Sequence, residues 1–383
     1  MTGIRIPVMV PWLGAEEQQA AAAAIASGWI AQGPRVAQFE QRFAERIGVE
    51  HAVAVSSCTT GLHLALHVAG VGPDDDVVVP SLSFIATANS VRYVGARPVF
   101  ADVDPVTQNV TAETLEVACT DRTRAVIVVH QAGMPADLES IATWCASRGV
   151  ALIEDAACAI GSTYRGAPIG ASGNLAVFSF HPRKILTTGE GGMVVTSDEA
   201  TAVRLRRLRE HGMSVSAVER HTAVGVPPKE SYLEVGFNYR MTDIQAAVGV
   251  VQLGRLDEVI ARRRLLADRY AANLADLPGL RTPTDPPWGT TNHQSYCVKV
   301  GSHELREALM THLHDRGIST RRGIMAAHLE PAYDPSGVSL PVTEELTATT
   351  LILPLYHSLT EAEIDEVSEE VRAKLAAAEE VVA

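Results

Sequence analysis

The strongest constraint on this chain is a succession of short, unbroken apolar runs rich in β-branched residues, each separated from the next by a stretch with helical spacing. Ala52–Val55, Val77–Val79, Pro98–Ala101, Ala125–Val129, Val150–Ile153, Leu175–Phe180 and Met193–Thr196 read as strands. A strand with no polar face must be buried on both sides, as in a mostly parallel sheet flanked by helices. The intervening segments Thr59–Val68, Phe84–Val94, Ala112–Ala118 and Leu138–Arg148 read as those helices. Two more precede the first strand. Ala15–Ser27 stops at Gly28. A second opens at Gly33-Pro34, places Val36, Phe39, Phe43 and Ile47 on one face, and ends at Gly48. The pattern predicts an α/β fold.

The character changes after Ser197. Glu199–His211 reads as a basic helix and 212–231 as a polar loop. A long helical stretch from Thr242 to Leu277 is expected to break near Gly254, and Pro278–Asn292 is a connector. Beyond it lie a strand (Tyr296–Val300), a helix (Glu304–Arg316), a strand near Ile318–Arg321 and a last helix (Glu361–Ala378). The expected organisation is a large α/β domain over residues 1–245 and a smaller C-terminal α+β domain over 246–383.

Composition narrows the function classes. The 383 residues carry a formal net charge of -13, which argues against a nucleic-acid binder, whose contact face is basic. The five cysteines (Cys58, Cys119, Cys145, Cys158, Cys297) are scattered, without the close spacing of a zinc or redox motif. Met1–Val10 lacks the basic-then-apolar pattern of a signal peptide, and no apolar run reaches membrane-spanning length. A cytoplasmic enzyme with reduced thiols is expected, with no membrane or nucleic-acid partner.

Four features fall at strand ends, where open parallel sheets bind ligands. The run from Val177 to Gly192 holds Lys184 in a sharp turn between two apolar strands. Burial there should lower the pKa of the amine and free it for carbonyl chemistry, the alternative being a surface lysine in an ordinary loop, and the following glycines imply either a close backbone approach or a tight turn. Ser179, five residues earlier, can donate to a phosphate or bond backbone. The sequence Ser56-Ser57-Cys58-Thr59-Thr60-Gly61 enters a helix, so it fits either a phosphate cup or plain N-capping. Asp155 ends a strand, where it can hold a cationic ring nitrogen or serve as a cap. Phe84 lies after Pro80-Ser81-Leu82-Ser83 and can stack on a flat ring or fill the core. Lysine, aspartate, phosphate cup and aromatic face together fit pyridoxal 5'-phosphate.

The same residues carry a family resemblance. The motifs are Leu152-Ile153-Glu154-Asp155-Ala156-Ala157, Phe178-Ser179-Phe180-His181-Pro182-Arg183-Lys184, Thr188-Gly189-Glu190-Gly191-Gly192 and Gly236-Phe237-Asn238-Tyr239-Arg240-Met241-Thr242-Asp243. With them the chain resembles the DegT/DnrJ/StrS sugar aminotransferases, a branch of the aspartate-aminotransferase fold (fold type I). The resemblance implies that Lys184 forms the Schiff base with the cofactor and that Asp155 pairs with its ring nitrogen. It implies further that Ser179, Cys58 and Thr59 hold the phosphate and that Phe84 covers the ring. Asn238 and Arg240 would come from a neighbouring subunit, making a homodimer with shared active sites. Cys158 stands where relatives usually carry glutamine or histidine, and Cys58 where they usually carry glycine. The implied reaction moves an amino group from L-glutamate to a nucleotide-linked keto-sugar, at carbon 4 of a 4-keto-6-deoxy sugar. Its rivals are amination of a cyclitol ketone, a cofactor-binding regulator without turnover, and a sugar dehydratase.

Other residues carry competing signals. Arg321 and Arg322 can meet a diphosphate or form a solvated basic turn. His63 and His67, four apart on a helix, have zinc-ligand spacing but no acidic or cysteine partner, so a surface or half-buried role is expected. Asp74-Asp75-Asp76 reads as a solvated turn, and His181 as either a substrate contact or an anchor. No metal site is expected.

Overall fold

A computed structural model describes residues 3–215, 229–333 and 337–382. In chain order its strands are β1 (His51–Val55), β2 (Asp76–Pro80), β3 (Arg97–Ala101), β4 (Thr123–Val129), β5 (Ala151–Asp155), β6 (Thr163–Tyr164), β7 (Ala167–Pro168), β8 (Leu175–Ser179) and β9 (Gly192–Thr196). Then follow β10 (Leu280–Arg281), β11 (Gly289–Thr290), β12 (Tyr296–Val300), β13 (Arg321–Arg322) and β14 (Thr350–Leu353). Seven strands form the main sheet in the order β1-β9-β8-β5-β4-β2-β3. The pairs β2–β3, β2–β4, β4–β5 and β5–β8 are parallel, and only β9 runs antiparallel to its neighbours. The sheet is thus mostly parallel, as the unbroken apolar runs require.

Alternation along each strand feeds two cores, one on each face of the sheet. Ala52, Ala54, Ala176 and Phe178 join Phe39, Phe43 and Ile141 on one side. Val53, Val55, Val177 and Val194 join Leu62, Leu66 and Leu205 on the other. A third core belongs to the antiparallel sheet β10-β12-β14-β13, with Tyr270, Tyr296, Leu309, Leu351 and Val367. The expected break in the long helix occurs as the pair Asp243–Gly254 and Leu256–Asn273. Leu253, Leu256 and Ile260 join the core that contains Phe39 and Phe43, whereas Leu266 and Tyr270 join that of the small sheet. The second helix therefore spans both cores.

Asp243 ties the expected boundary region back to the N-terminal helices. Its fully buried carboxylate accepts from the backbone N–H of Gly33, Arg35 and Val36, at 2.8, 3.0 and 3.0 Å, and so caps the helix Pro34–Ile47 from more than two hundred residues away. Gly33 allows the close approach, since a Cβ there would lie 2.8 Å from that carboxylate.

Some local expectations shift. The helix expected over 84–94 begins at Ala86, leaving Phe84 outside it. The strand expected near Ile318–Arg321 is only the two-residue β13, while Ile318 bridges Ile6. The helix Pro341–Thr349 and β14 had no counterpart in the sequence reading. Residues 216–228 of the expected polar loop lie outside the described residues. Asp76 does not fit a solvated turn. It is fully buried at the start of β2, paired with Arg97 at 2.6 Å and bonded by Thr120 at 2.6 Å.

Candidate active site

The topology itself gathers the site. Gly192, the first residue of β9, pairs in register with Val55 on one side and Ser179 on the other. The carboxyl ends of β1, β8 and β5 therefore meet at one edge of the sheet, bringing the 56–60 loop, Ser179 and Asp155 together. Gly192 has to be glycine, because a Cβ would fall 2.7 Å from the backbone of Ser57 and Cys58. At Gly191 a Cβ would strike Thr188 and Met241. The close approach expected from the glycine run is the packing of this turn against the helix entrance and Met241.

Lys184 lies in a turn closed by its own N–H to the His181 carbonyl at 2.8 Å and by Thr188 N–H to the Phe180 carbonyl at 3.0 Å. Its Nζ donates to Cys158 Sγ at 3.1 Å. Burial works to lower the lysine's pKa, as the sequence suggests, but contact with Cys158, followed by the influence of Cys58 and then of Asp155, outweighs it. The net shift is upward, a correction to the expected fall. The sequence could not show which groups would face the amine.

Successive residues of β5 point to opposite faces, so Glu154 and Asp155 have different fates. Glu154, fully buried, bonds His130 at 3.2 Å together with Ser172 and Asn174. Asp155 faces the site. Its Oδ2 accepts from the Thr87 hydroxyl at 2.9 Å and its Oδ1 from the Ala157 N–H at 3.2 Å. Burial pushes its pKa up despite those bonds and the nearby Lys184. A buried carboxylate compensated only in part is suited to receive a cationic group.

The helix Cys58–Val68 opens at Ser57, whose hydroxyl accepts from Thr60 N–H at 3.2 Å in a capping box. Thr59 is half-buried in the first turn. The Cys58 side chain points away from that helix end, with Sγ 3.9 Å from Asp155 Oδ1 and 4.0 Å from the Val177 carbonyl. Burial, and then Asp155, push its thiol far above the ordinary range, so it stays protonated at neutral pH. Cys58 thus offers the helix end its N–H and the aspartate its S–H.

Phe84 is 58% exposed, beside the chain of hydroxyls Ser83–Thr87 that ends on Asp155. Asn238 is exposed and Arg240 half-buried, and no contact joins either to Lys184 or Asp155 among the described residues. The neighbouring Tyr239 carbonyl accepts from Ser56 N–H at 2.8 Å. Contrary to the surface or half-buried position expected, His63 is buried, bonded to the Tyr239 hydroxyl at 3.0 Å and edge-on to Phe237, while His67 is half-buried. His181 anchors the turn, its Nδ1 accepting from Arg183 N–H at 3.2 Å.

Two positioning residues carried no sequence signal. Gln294 grips the peptide on both sides of Lys184, accepting from Ile185 N–H at 3.0 Å and donating to the Arg183 carbonyl at 2.7 Å. Asn292 accepts from Gln294 N–H and donates to the carbonyls of Cys158 and Ile160, each at 2.8 Å. Thr87 was also missed, though it lies one helical turn after Phe84.

An amine, a buried acceptor for a cation and a helix N-terminus at one sheet edge form the donor set that pyridoxal phosphate requires. A family model described as the DegT/DnrJ/EryC1/StrS aminotransferase family matches residues 11–372. The chain belongs to this family. Its members use pyridoxal phosphate, and this protein is an aminotransferase of the sugar and cyclitol type.

Solved relatives superpose over almost the whole chain. TlmJ, an aminotransferase from Streptoalloteichus hindustanus, is 41% identical with a TM-score of 0.90, covering 97% of this chain and 99% of its own. DesV from S. venezuelae is 35% identical with a TM-score of 0.89, covering 97% and 98%. A Streptococcus pneumoniae protein solved in its PMP form is 26% identical with a TM-score of 0.91, covering 97% and 100%. It has also been solved in a PLP form. The DegT-family fold expected from the sequence is the fold observed. Among the described residues no helix is long and apolar enough to cross a membrane.

Proposed function

We propose that this protein transfers an amino group from L-glutamate to a nucleotide-linked keto-sugar, at carbon 4 of a 4-keto-6-deoxy sugar. The observation that carries the reading is the placement of the Lys184 amine and the buried Asp155 carboxylate in one site at the carboxyl edge of the sheet. Lys184 Nζ would hold the cofactor, and Asp155, steadied by Thr87 and Ala157, would receive its cationic ring nitrogen. The first-turn N–H groups of Cys58 and Thr59, with the Ser179 hydroxyl, would hold its phosphate, and Phe84 would serve as an aromatic cover. Bound pyridoxal phosphate supplies an electron sink that acidifies the carbon bearing the transferred nitrogen. Lys184 Nζ would be the group that moves a proton to and from that carbon. Cys158 bonds the amine from the side and holds it in place between those roles.

The working unit is a homodimer. Tyr232, Leu233 and Val235, interrupted by the ion-paired Glu234, expose apolar side chains just before Asn238, and Val235 is 86% exposed. Such exposure supports a protein interface. A second subunit packed there would bring its own Asn238 and Arg240 to the phosphate end of its neighbour's site. A cytoplasmic setting accords with the five free cysteines.

The test supplies purified enzyme with L-glutamate and either a nucleotide-linked 4-keto-6-deoxy sugar or a cyclitol ketone. Aminated sugar and released 2-oxoglutarate, measured by mass spectrometry, are expected with the first. Amination of the cyclitol alone overturns the sugar assignment. Binding of the cofactor with no turnover of any ketone would point to a regulator.

A further inference from the structure

Beside the Lys184 turn lie two guanidinium groups, both on exposed residues, with no acid paired to them among the described residues. Arg183 directly precedes Lys184, and Arg321 opens β13. Both line a cavity of about 60 Å³ whose walls include Gln294, Ser295, Ile352 and Leu355. Neither side chain has an ion pair or hydrogen bond among the described residues. Each acts on the other as a like charge. Burial first, and then Arg183, lower the Arg321 pKa. Burial also lowers that of His181, where Glu190 opposes and Arg183, Lys184 and Arg321 add to the shift. Repelling cations beside a cavity mark a place prepared for an anion.

The strand geometry separates Arg321 from Arg322. Arg321 lies opposite Ile352 and Arg322 opposite Leu351, so the two leave β13 from opposite faces and do not act as one clamp. Arg321 is paired in space with Arg183 instead. The cavity has room for one small planar group, and its apolar side, Ile352 and Leu355, suits methylenes rather than sugar hydroxyls. A guanidinium fork matches a carboxylate bidentately.

We propose that Arg183 and Arg321 together bind a carboxylate of the amino donor, and so select a dicarboxylic amino acid. The inference rests on the transamination reading above but not on the identity of the acceptor. Arg183 is held at its carbonyl by Gln294, so the donor anchor and the Lys184 turn share one support.

The test uses the full chain and Arg183→Leu and Arg321→Leu variants. By calorimetry, the cofactor-free protein should bind 2-oxoglutarate, and each variant should bind it about tenfold or more weakly, as expected for loss of a charged hydrogen-bonding partner. Binding of uridine diphosphate, a nucleoside diphosphate probe, should be unchanged. With the loaded enzyme, L-glutamate alone should still convert the cofactor in its half-reaction, with the KM for glutamate raised and the maximal rate nearly kept. Arg321→Lys, which keeps the charge but loses the fork, should recover part of the affinity. Loss of diphosphate binding, with or without loss of 2-oxoglutarate binding, overturns the assignment, as does unchanged binding of both. If no keto-sugar is ever aminated, the calorimetry and the glutamate half-reaction still decide this site independently.

Discussion

Lys184 shows how a single contact reverses a simple expectation. Desolvation favours the neutral amine, yet Cys158 at 3.1 Å, then Cys58 and Asp155, favour the ammonium and prevail. A raised folded-state pKa means that the charged lysine stabilises the cofactor-free protein fully below the unfolded value of 10.5 and that this stabilisation is lost as pH rises through the higher folded value. Attack on an aldehyde needs the neutral amine. Uptake of pyridoxal phosphate, followed as the rise of its visible absorbance, should therefore quicken as pH is raised from neutral toward the alkaline range. Cys158→Ala removes the largest upward influence and should quicken uptake at neutral pH. An unchanged rate would show that Cys158 does not hold the proton on Lys184. Lys184→Ala should abolish both the Schiff-base absorbance and all transfer, measured on the purified variant.

At the scale of elements, the active turn depends on support from a segment more than a hundred residues away. Gln294→Leu strands the Ile185 N–H and the Arg183 carbonyl, each buried polar group costing about 1–3 kcal/mol. A fall in melting temperature on the order of 5 °C is expected, together with a lower turnover number. Gln294→Glu keeps the acceptor and loses the donor, so it should fall between the two. Thr87→Val removes one hydrogen bond to a buried carboxylate, worth about 1.5–3 kcal/mol. Pyridoxal phosphate should then bind roughly tenfold to a hundredfold more weakly by equilibrium titration, with little change in the fold.

For the molecule as a whole, the issue is what covers the apolar side chains exposed at 232–235. Val235→Asp places a charge where the proposed partner would pack, and an unpaired charge buried in an interface costs several kcal/mol. Sedimentation velocity should show a shift from dimer to monomer, and cofactor affinity should drop with it. A variant that remains dimeric with full affinity would place the interface elsewhere. The same scale explains the spread of the helix Leu256–Asn273 across both cores, since one rigid element links the core under the main sheet to that of the small sheet, and Gln294 lies in the connection that enters the small sheet at β12.

The sequence by itself determined the elements whose signal is local: the buried strands, the capped helices, the lysine turn and the aspartate at a strand end. Period-two and period-3.6 patterns and glycine punctuation act over a few neighbours, so one reading along the chain suffices. Tertiary structure alone decided what faces what. It put Cys158 against Lys184, turned Cys58 toward Asp155, split Arg321 from Arg322, and brought Gln294, Asn292 and Thr87 to support groups distant in the chain. Those pairings arise from strand order and face, which join residues far apart in sequence, and no local periodicity encodes them.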